Sequence, residues 1–293
     1  MSASASPARA AFVDLHTHST ASDGILPPEQ VIEAAQRCGL GAIALTDHDT
    51  INGLPAARAA GERLSVRVIA GVELSAFYED HEVHLLALHL SQLEALEARL
   101  GELRTLRYAR AEKIVEKLNA LGVELTLDEV LQQSNGGAVG RPHVARALIA
   151  RGVVHDFRDA FMRYLGSNGS AFVPKARLTI QDAIGIAHEA GALAIWAHPG
   201  DGGRRERLEP LVAAGLDGVE VKHPSHSSED VKRLQALAEF FGLVQSGGSD
   251  WHGASEGPRK LGNMNVPIEW LAQQDEKLAA LAAAEEMRTR RWS

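Results

Sequence analysis

Two histidines one residue apart, His16 and His18, follow the apolar run Ala11-Phe12-Val13. In an extended segment residues i and i+2 face the same side, so both imidazoles can meet one metal ion at a strand end. The same signal, an apolar run with His, Asp or Glu at its end, recurs along the chain. Asp23 lies just beyond the first pair. Thr46-Asp47-His48-Asp49 ends the second run and Gly71-Val72-Glu73 the third. His84 lies inside the fourth, Ala197-His198-Pro199 ends the fifth, and Gly248-Ser249-Asp250-Trp251-His252 follows the last.

Any one of these residues has an ordinary reading. A strand-end histidine often only hydrogen-bonds, and Asp23 or Asp49 can cap a helix. Together, His16, His18, Asp23, His48, Glu73, His84, His198, Asp250 and His252 resist that reading, because buried imidazoles and carboxylates are costly unless paired or metal-bound. The mixed nitrogen and oxygen donors suit Zn, Mn or Fe, whereas an all-oxygen set would suit Mg or Ca. At about four to six ligands per ion, with some shared, nine donors imply two or three divalent ions. Ions about 3.5–4 Å apart activate a hydroxide and stabilise the leaving oxygen of a phosphate ester. The expected chemistry is therefore hydrolysis, of a phosphoester in particular.

The elements that must position these donors read as an α/β fold. Seven apolar runs predict strands: 11–15, 42–46, 67–74, 82–88, 193–197, 217–222 and 243–246. Most are continuous rather than alternating, as in parallel strands covered on both faces. Nearly every candidate donor falls at a strand's C-terminal end, where parallel barrels build active sites. Pro27-Pro28 opens a helix that Gly39 ends. Thr179-Ile-Gln-Asp182 and Thr126-Leu-Asp-Glu129 read as capping boxes, and Ser227 or Ser228 starts another helix. Residues 92–170 contain only helical patterns, so they read as an all-helical insertion between barrel segments 11–91 and 171–293.

Composition sets outer bounds. The 293 residues, 45% hydrophobic and 23% charged, describe an ordinary globular chain. No apolar run approaches a membrane span. Residues 1–10 lack an apolar core and read as a disordered leader rather than a signal peptide. Cys38 is the single cysteine, so no intrachain disulfide forms; it reads as buried packing in a cytoplasmic protein. The formal charge of −8 argues against a broad nucleic-acid coat.

Asp14-Leu-His-Thr-His-Ser19 with Ser22-Asp23-Gly24, Thr46-Asp47-His48-Asp49, Gly71-Val72-Glu73, His84, Ala197-His198-Pro199 and Gly248-Ser249-Asp250-Trp251-His252 resemble the motifs of the PHP (polymerase and histidinol phosphatase) family. The resemblance covers about residues 12–262 and implies a distorted (β/α)7 barrel. It also implies that His16, His18, Glu73 and Asp250 hold a first ion. Glu73 would bridge to a second ion held by His84 and His198, and Asp23, His48 and His252 would hold a third. Manganese is the first expectation, with zinc or iron as alternatives. Gly140-Arg141-Pro142-His143 and Glu220-Val221-Lys222-His223-Pro224-Ser225-His226 are similar to the branch with nucleoside 3′,5′-bisphosphate phosphatases and a 5′→3′ exoribonuclease. That branch implies a phosphorylated nucleotide, or short RNA, as partner.

Other residues join the expectation with weaker signals. Arg141 reads as a phosphate clamp, its fork suited to bidentate contact. His143, Lys175 and Arg177 are candidate substrate contacts, with a first-turn or solvated role as the plain alternative. His223 and His226 follow the sixth run and are candidate acids for the leaving oxygen. Arg204 and Arg205 read as solvent-facing, and Tyr164 and Phe172 as packing. Competing functions are a histidinol-phosphatase-like small phosphoesterase, an amidohydrolase, and a metal-bound module that only binds nucleic acid or a partner. An amidohydrolase typically bridges its metals with a strand-four lysine, which Val83-His84-Leu85-Leu86 lacks.

Overall fold

The computed structural model describes residues 11–134, 137–174 and 178–290. The expected leader and the candidates Lys175 and Arg177 lie outside the described residues. Strands β1 (Phe12–Asp14), β2 (Ala42–Leu45), β3 (Arg67–Tyr78), β4 (His81–Leu88), β5 (Leu193–Ala197), β6 (Gly218–Lys222), β7 (Val244–Gly247) and β8 (Val266–Pro267) form one sheet in the order β7-β6-β5-β4-β3-β2-β1-β8. The sheet curls into a nearly closed barrel. Beyond β1, Leu15 N–H donates to Gly247 C=O at 3.0 Å, and Thr17 and Trp251 form a parallel bridge. These contacts join the two ends of the sheet.

The expected barrel is present, with two corrections to its strands. Antiparallel β8, two residues long and paired with β1, is too short to leave a periodic signal. Strand β4 is antiparallel to both β3 and β5. Only Glu79 and Asp80 separate Tyr78 from His81, and so short a link permits a hairpin but no parallel crossover. Its continuous apolar run reflects burial on both faces, which reads alike in either direction. The reversal also explains His84. The N-terminal half of β4 lies at the rim where the parallel strands end, and His84 pairs in register with Ser75 and Ala197.

Helices cover the barrel. Pro28 occupies the first turn of α1 (Pro28–Arg37), and Gly39 beyond it takes a left-handed φ of +68°. Helix α2 (Leu54–Leu64) precedes β3. Thr179 caps α7 (Ile180–Glu189), α8 is Arg205–Ala213, Ser227 and Asp230 close a capping box on α9 (Ser228–Phe241), and α10 is Ile268–Arg290. Cys38 is exposed just past α1, not buried. It follows the last helical turn, where the apolar face formed by Val31, Ile32 and Ala35 has rotated away.

Between β4 and α7 the chain is helical: α3 (Leu93–Ala120), α4 (Leu127–Ser134), α5 (Arg141–Ala150), α6 (Phe157–Ala160) and a π-helical turn, Phe161–Leu165. Thr126 and Glu129 form the capping box at α4. Packing divides this region inside α3. Leu96 and Leu100 belong to the barrel core, whereas Ile114 and Leu118 gather Val130, Val144, Leu148, Tyr164 and Leu165 into a second core that also takes Val173. Among the described residues no helix is long and apolar enough to cross a membrane.

Asp14 fastens the barrel's closure. Its buried carboxylate accepts from Ser249 N–H (2.9 Å), Ser249 Oγ (2.7 Å) and Gly262 N–H (2.9 Å). Removing a buried acceptor strands its donors. Asp14→Ala is expected to lose on the order of 3 kcal/mol of unfolding free energy, read as a lower urea midpoint at unchanged slope. A midpoint within experimental error of wild type would refute this role.

Candidate metal centre

The expected donors converge on the C-terminal rim of the barrel. His16 and His18 continue β1 in extended form. Between them Thr17 turns to β2, giving its Oγ to Ala44 C=O at 2.6 Å and accepting from Thr46 N–H at its own carbonyl, 2.9 Å away. The alternation therefore sends both imidazoles inward, as the spacing predicts. Three rim residues adopt left-handed backbone: Asp49 (φ +50°), His198 (+30°) and Asp250 (+48°). Such conformations are costly for non-glycine residues and persist where the surroundings fix them. Gly248 lets β7 approach β1 closely, because a Cβ there would lie 2.4 Å from His16 Cβ.

Glu73 stands at the middle. Its Oε2 is 3.3 Å from His16 Nε2, 3.3 Å from His18 Nε2 and 3.1 Å from His48 Nδ1. Its Oε1 is 2.8 Å from His84 Nδ1 and 3.1 Å from His198 Nε2. Asp250 Oδ1 lies 3.5 Å from His16 Nε2 and 3.2 Å from His18 Nε2. On the far side of His18, Asp23 Oδ1 is 3.1 Å from His252 Nε2. His18, Asp23, His48 and His252 can bring one donor atom each within 4.8 Å of one another.

These distances fit metal ions. Four ligands around an ion at about 2.0–2.2 Å lie roughly 3.3–3.6 Å apart, close to the spacing of His16 Nε2, His18 Nε2, Glu73 Oε2 and Asp250 Oδ1. The buried atoms His16 Nε2, His18 Nε2 and His48 Nδ1 have no hydrogen-bond partner, although buried polar atoms are normally satisfied. The electrostatics agree. Burial alone would lower His18, yet the Asp250 and Glu73 carboxylates raise it to about 10. Burial of His48 wins instead and takes it down to about 3. Burial would raise Asp23, Glu73 and Asp250, but the surrounding imidazoles hold all three well below the usual carboxylate range. The rim thus stores buried anionic charge that protonated imidazoles or cations must balance.

A ring of partners orients the donors. Glu220 Oε1 is 3.0 Å from His16 Nδ1, and its Oε2 accepts from His198 N–H at 2.7 Å. Asp47 accepts from Ser19 N–H, Ser19 Oγ and Ser22 Oγ, each at 2.7 Å, fixing the loop that carries Asp23. Arg259 pairs with Asp250 Oδ2. Sequence reasoning passed over these roles for Glu220, Asp47 and Arg259. For Glu220 the available signal was an acidic residue inside the apolar run of β6, which asks for a buried partner.

The candidate substrate residues separate. His223 is buried beside the centre. Its Nδ1 accepts from Ser225 N–H (3.1 Å) and its Nε2 is 3.4 Å from Asp250 Oδ2. His226 donates from Nδ1 to Val221 C=O (2.8 Å) and accepts at Nε2 from Gly200 N–H (3.1 Å). His143 accepts from Gly140 N–H at 2.9 Å and donates from Nε2 to Ser22 C=O at 3.0 Å. Both rings spend both nitrogens on backbone groups. Their geometry is that of loop fasteners. Arg141 reaches Glu82 Oε2 (3.2 Å) and stacks over Phe161. Arg204 and Arg205 are solvent-exposed. His84 and His198 are about a quarter exposed, at 24% and 25% of their side chains, and line a cavity of about 240 Å³ with Trp196 and Arg207. A substrate can therefore reach this face of the centre.

The PHP-domain family profile matches residues 14–286. The chain belongs to the PHP family. It is 38% identical over 261 residues, 86% of this chain and 91% of the relative, to a 3′,5′-nucleoside bisphosphate phosphatase of Chromobacterium violaceum. It is 36% identical over 251 residues, 83% of this chain and 86% of the relative, to a 5′-3′ exoribonuclease of Salmonella typhimurium. A crystal structure from Bifidobacterium adolescentis, named as an inferred metal-dependent phosphoesterase, superposes with a TM-score of 0.82 at 33% identity. It covers 89% of this chain and 94% of its own. Family and site together make this PHP protein a metal-dependent phosphoesterase.

Two outcomes follow from the geometry. EDTA is expected to lower the melting temperature of the metal-loaded protein, since an ion at 100 times its Kd adds about 2.7 kcal/mol; in His18→Ala the EDTA effect should largely vanish. Gly248→Ala, which pushes on His16, is expected to weaken metal binding at least about 10-fold by calorimetry. Wild-type affinity in Gly248→Ala would show that the β7 approach does not set His16.

Proposed function

We propose that this PHP phosphoesterase removes the 3′-phosphate from nucleoside 3′,5′-bisphosphates, giving a 5′-mononucleotide and phosphate. The observation that carries the hydrolytic part is the approach of His16 Nε2 and His18 Nε2 to both Glu73 Oε2 and Asp250 Oδ1 at 3.2–3.5 Å. The substrate follows the 38% identical phosphatase, aligned over 91% of its length.

His16, His18, Glu73 and Asp250 hold a first ion, His84 and His198 with Glu73 a second, and Asp23, His48 and His252 a third. The mixed donors suit manganese, zinc or iron, with manganese preferred. Divalent ions there supply Lewis-acid charge to a phosphoryl group and lower the pKa of water. The chain's own groups do the rest. Glu220 fixes the His16 ring and the His198 backbone. His223 accepts at Nδ1 from Ser225 N–H, so its proton sits on Nε2, the nitrogen nearer Asp250 and the centre. That Nε2–H can donate a hydrogen bond to the leaving 3′-oxygen, so His223 stabilises the leaving group's charge in this reading while the neutral ring keeps its single proton. Arg141, paired with Glu82, neutralises charge on a substrate phosphate.

Exoribonuclease action on 5′-phosphorylated RNA is the second reading, favoured by the 36% identical relative of that name. Phosphate release from 3′,5′-bisphosphoadenosine, 5′-AMP, histidinol phosphate and short 5′-phosphorylated RNA separates the two. The bisphosphonucleotide is expected to give the highest kcat/KM, with 5′-AMP as product. A faster shortening of RNA would overturn the phosphatase reading. His223→Ala is expected to lower kcat for the nucleotide by about 10²–10³-fold, and far less for an aryl phosphate whose leaving group carries its charge unaided. Equal losses on both substrates would remove His223 from the leaving-group role.

A further inference from the structure

The loop that carries Asp23, residues 19–26, spends amides on itself. Thr20 N–H donates to Leu26 C=O at 2.9 Å, and Ser22 and Gly24 N–H both donate to Ser19 C=O, at 3.1 and 2.9 Å. Its carbonyls are used differently. Three in succession, those of Ala21, Ser22 and Asp23, each accept a hydrogen bond from the helical region. Ala138 N–H reaches Ala21 C=O at 3.0 Å, His143 Nε2 reaches Ser22 C=O at 3.0 Å, and Arg146 Nη2 reaches Asp23 C=O at 2.5 Å. His143 and Arg146 lie three apart on α5 and so share one face of it. With His143 Nδ1 accepting from Gly140 N–H, the ring proton sits on Nε2, toward the loop. Gly137 lets the chain come this near, because a Cβ there would lie 2.6 Å from the carbonyl oxygens of Thr20 and Ala21.

One ion site depends on this loop more than the others do. Asp23 is a donor to the third ion in the assignment above, and His252 is another. Ile25, on the same loop, donates its N–H to the His252 carbonyl at 3.1 Å. Asp23 Oδ1 and His252 Nε2 stand 3.1 Å apart. The other two sites have supports of their own. Glu220 holds the His16 ring and the His198 backbone, and Glu73 and His84 sit in the β3–β4 ladder. Outer partners that fix a donor's position set metal affinity even though they touch no ion. A hold on the backbone of residues 21–23 therefore bears chiefly on the third site.

We propose that α5 completes the third ion site. His143 and Arg146 are positioning residues that set Asp23, and through Ile25 also His252, by holding the Asp23 loop from outside. The helical region then decides whether the centre carries two ions or three. This role rests on the three-ion assignment above and says what part of the chain controls the third ion.

The test titrates Mn²⁺ into the full chain, stripped of metal, by calorimetry, and counts bound ions by elemental analysis. Arg146→Met is expected to weaken one of three ions about 10- to 100-fold and to leave the other two within about twofold. His143→Leu should act in the same way; if its metal-free form melts much below wild type, Arg146→Met decides. Arg146→Lys keeps a charged donor and should recover most of the loss. Arg151→Gln breaks an ion pair with Glu129 inside the helical region and should keep all three ions. His252→Ala, which removes a donor from the site itself, shows what loss of the third ion looks like. A merely structural role would lower the metal-free melting temperature and weaken all the ions alike. That pattern, or wild-type affinity for three ions in Arg146→Met, would overturn the positioning role. If His252→Ala binds as many ions as wild type, the third site is absent and the role falls with it, while the first two sites stand.

Discussion

The structure turns on one carboxylate. Glu73 is buried at 1% exposure with five imidazoles against its two oxygens, three on one side and two on the other. An isolated anion so placed would be prohibitively costly, so the surrounding positive charge is a condition of the fold as well as of the chemistry. The five rings come from four strand ends, at β1, β2, β4 and β5. No local motif could collect them. A barrel can, because it delivers consecutive strands to one rim while the helices stay outside.

That demand accounts for departures from regularity. Strand β4 runs against its neighbours, and its reversal brings a ring from the start of a strand to a rim otherwise built from strand ends. The left-handed residues His198 and Asp250 break the extended backbone where their strands end. Their cost is offset by contacts such as Glu220 on His198 N–H. Asp14, remote from the donors, carries part of the same burden by locking the Ser249 loop against β1.

Most of this centre was legible in sequence because it is made of short-range patterns. His16 and His18 need only an extended backbone, and His48, His198 and Asp250 need only a strand end. The capping boxes at Thr126 and Thr179 are likewise local. What was not legible depends on long-range pairing. His226 and His143 carry the same side chain as a metal donor, and only the carbonyls of Val221 and Ser22 reveal that their nitrogens are spent.

The helical region is not a passive addition to the rim. Arg107 holds Asp49, Arg141 holds Glu82, His143 holds Ser22 C=O, and Arg146 holds Asp23 C=O. Each partner is a metal-donor residue or lies one or two positions from one. Shifting α3 or α5 would therefore disturb donor loops, and tightening those loops around ions would fix α3 and α5. The helical region and the donor loops are mechanically linked through these four contacts. The deeper donors His16 and Glu73 are insulated from that linkage, anchored instead by Glu220 and the β-ladder. Such a division ties the helical region to the outer donor loops while the deeper donors keep their own supports.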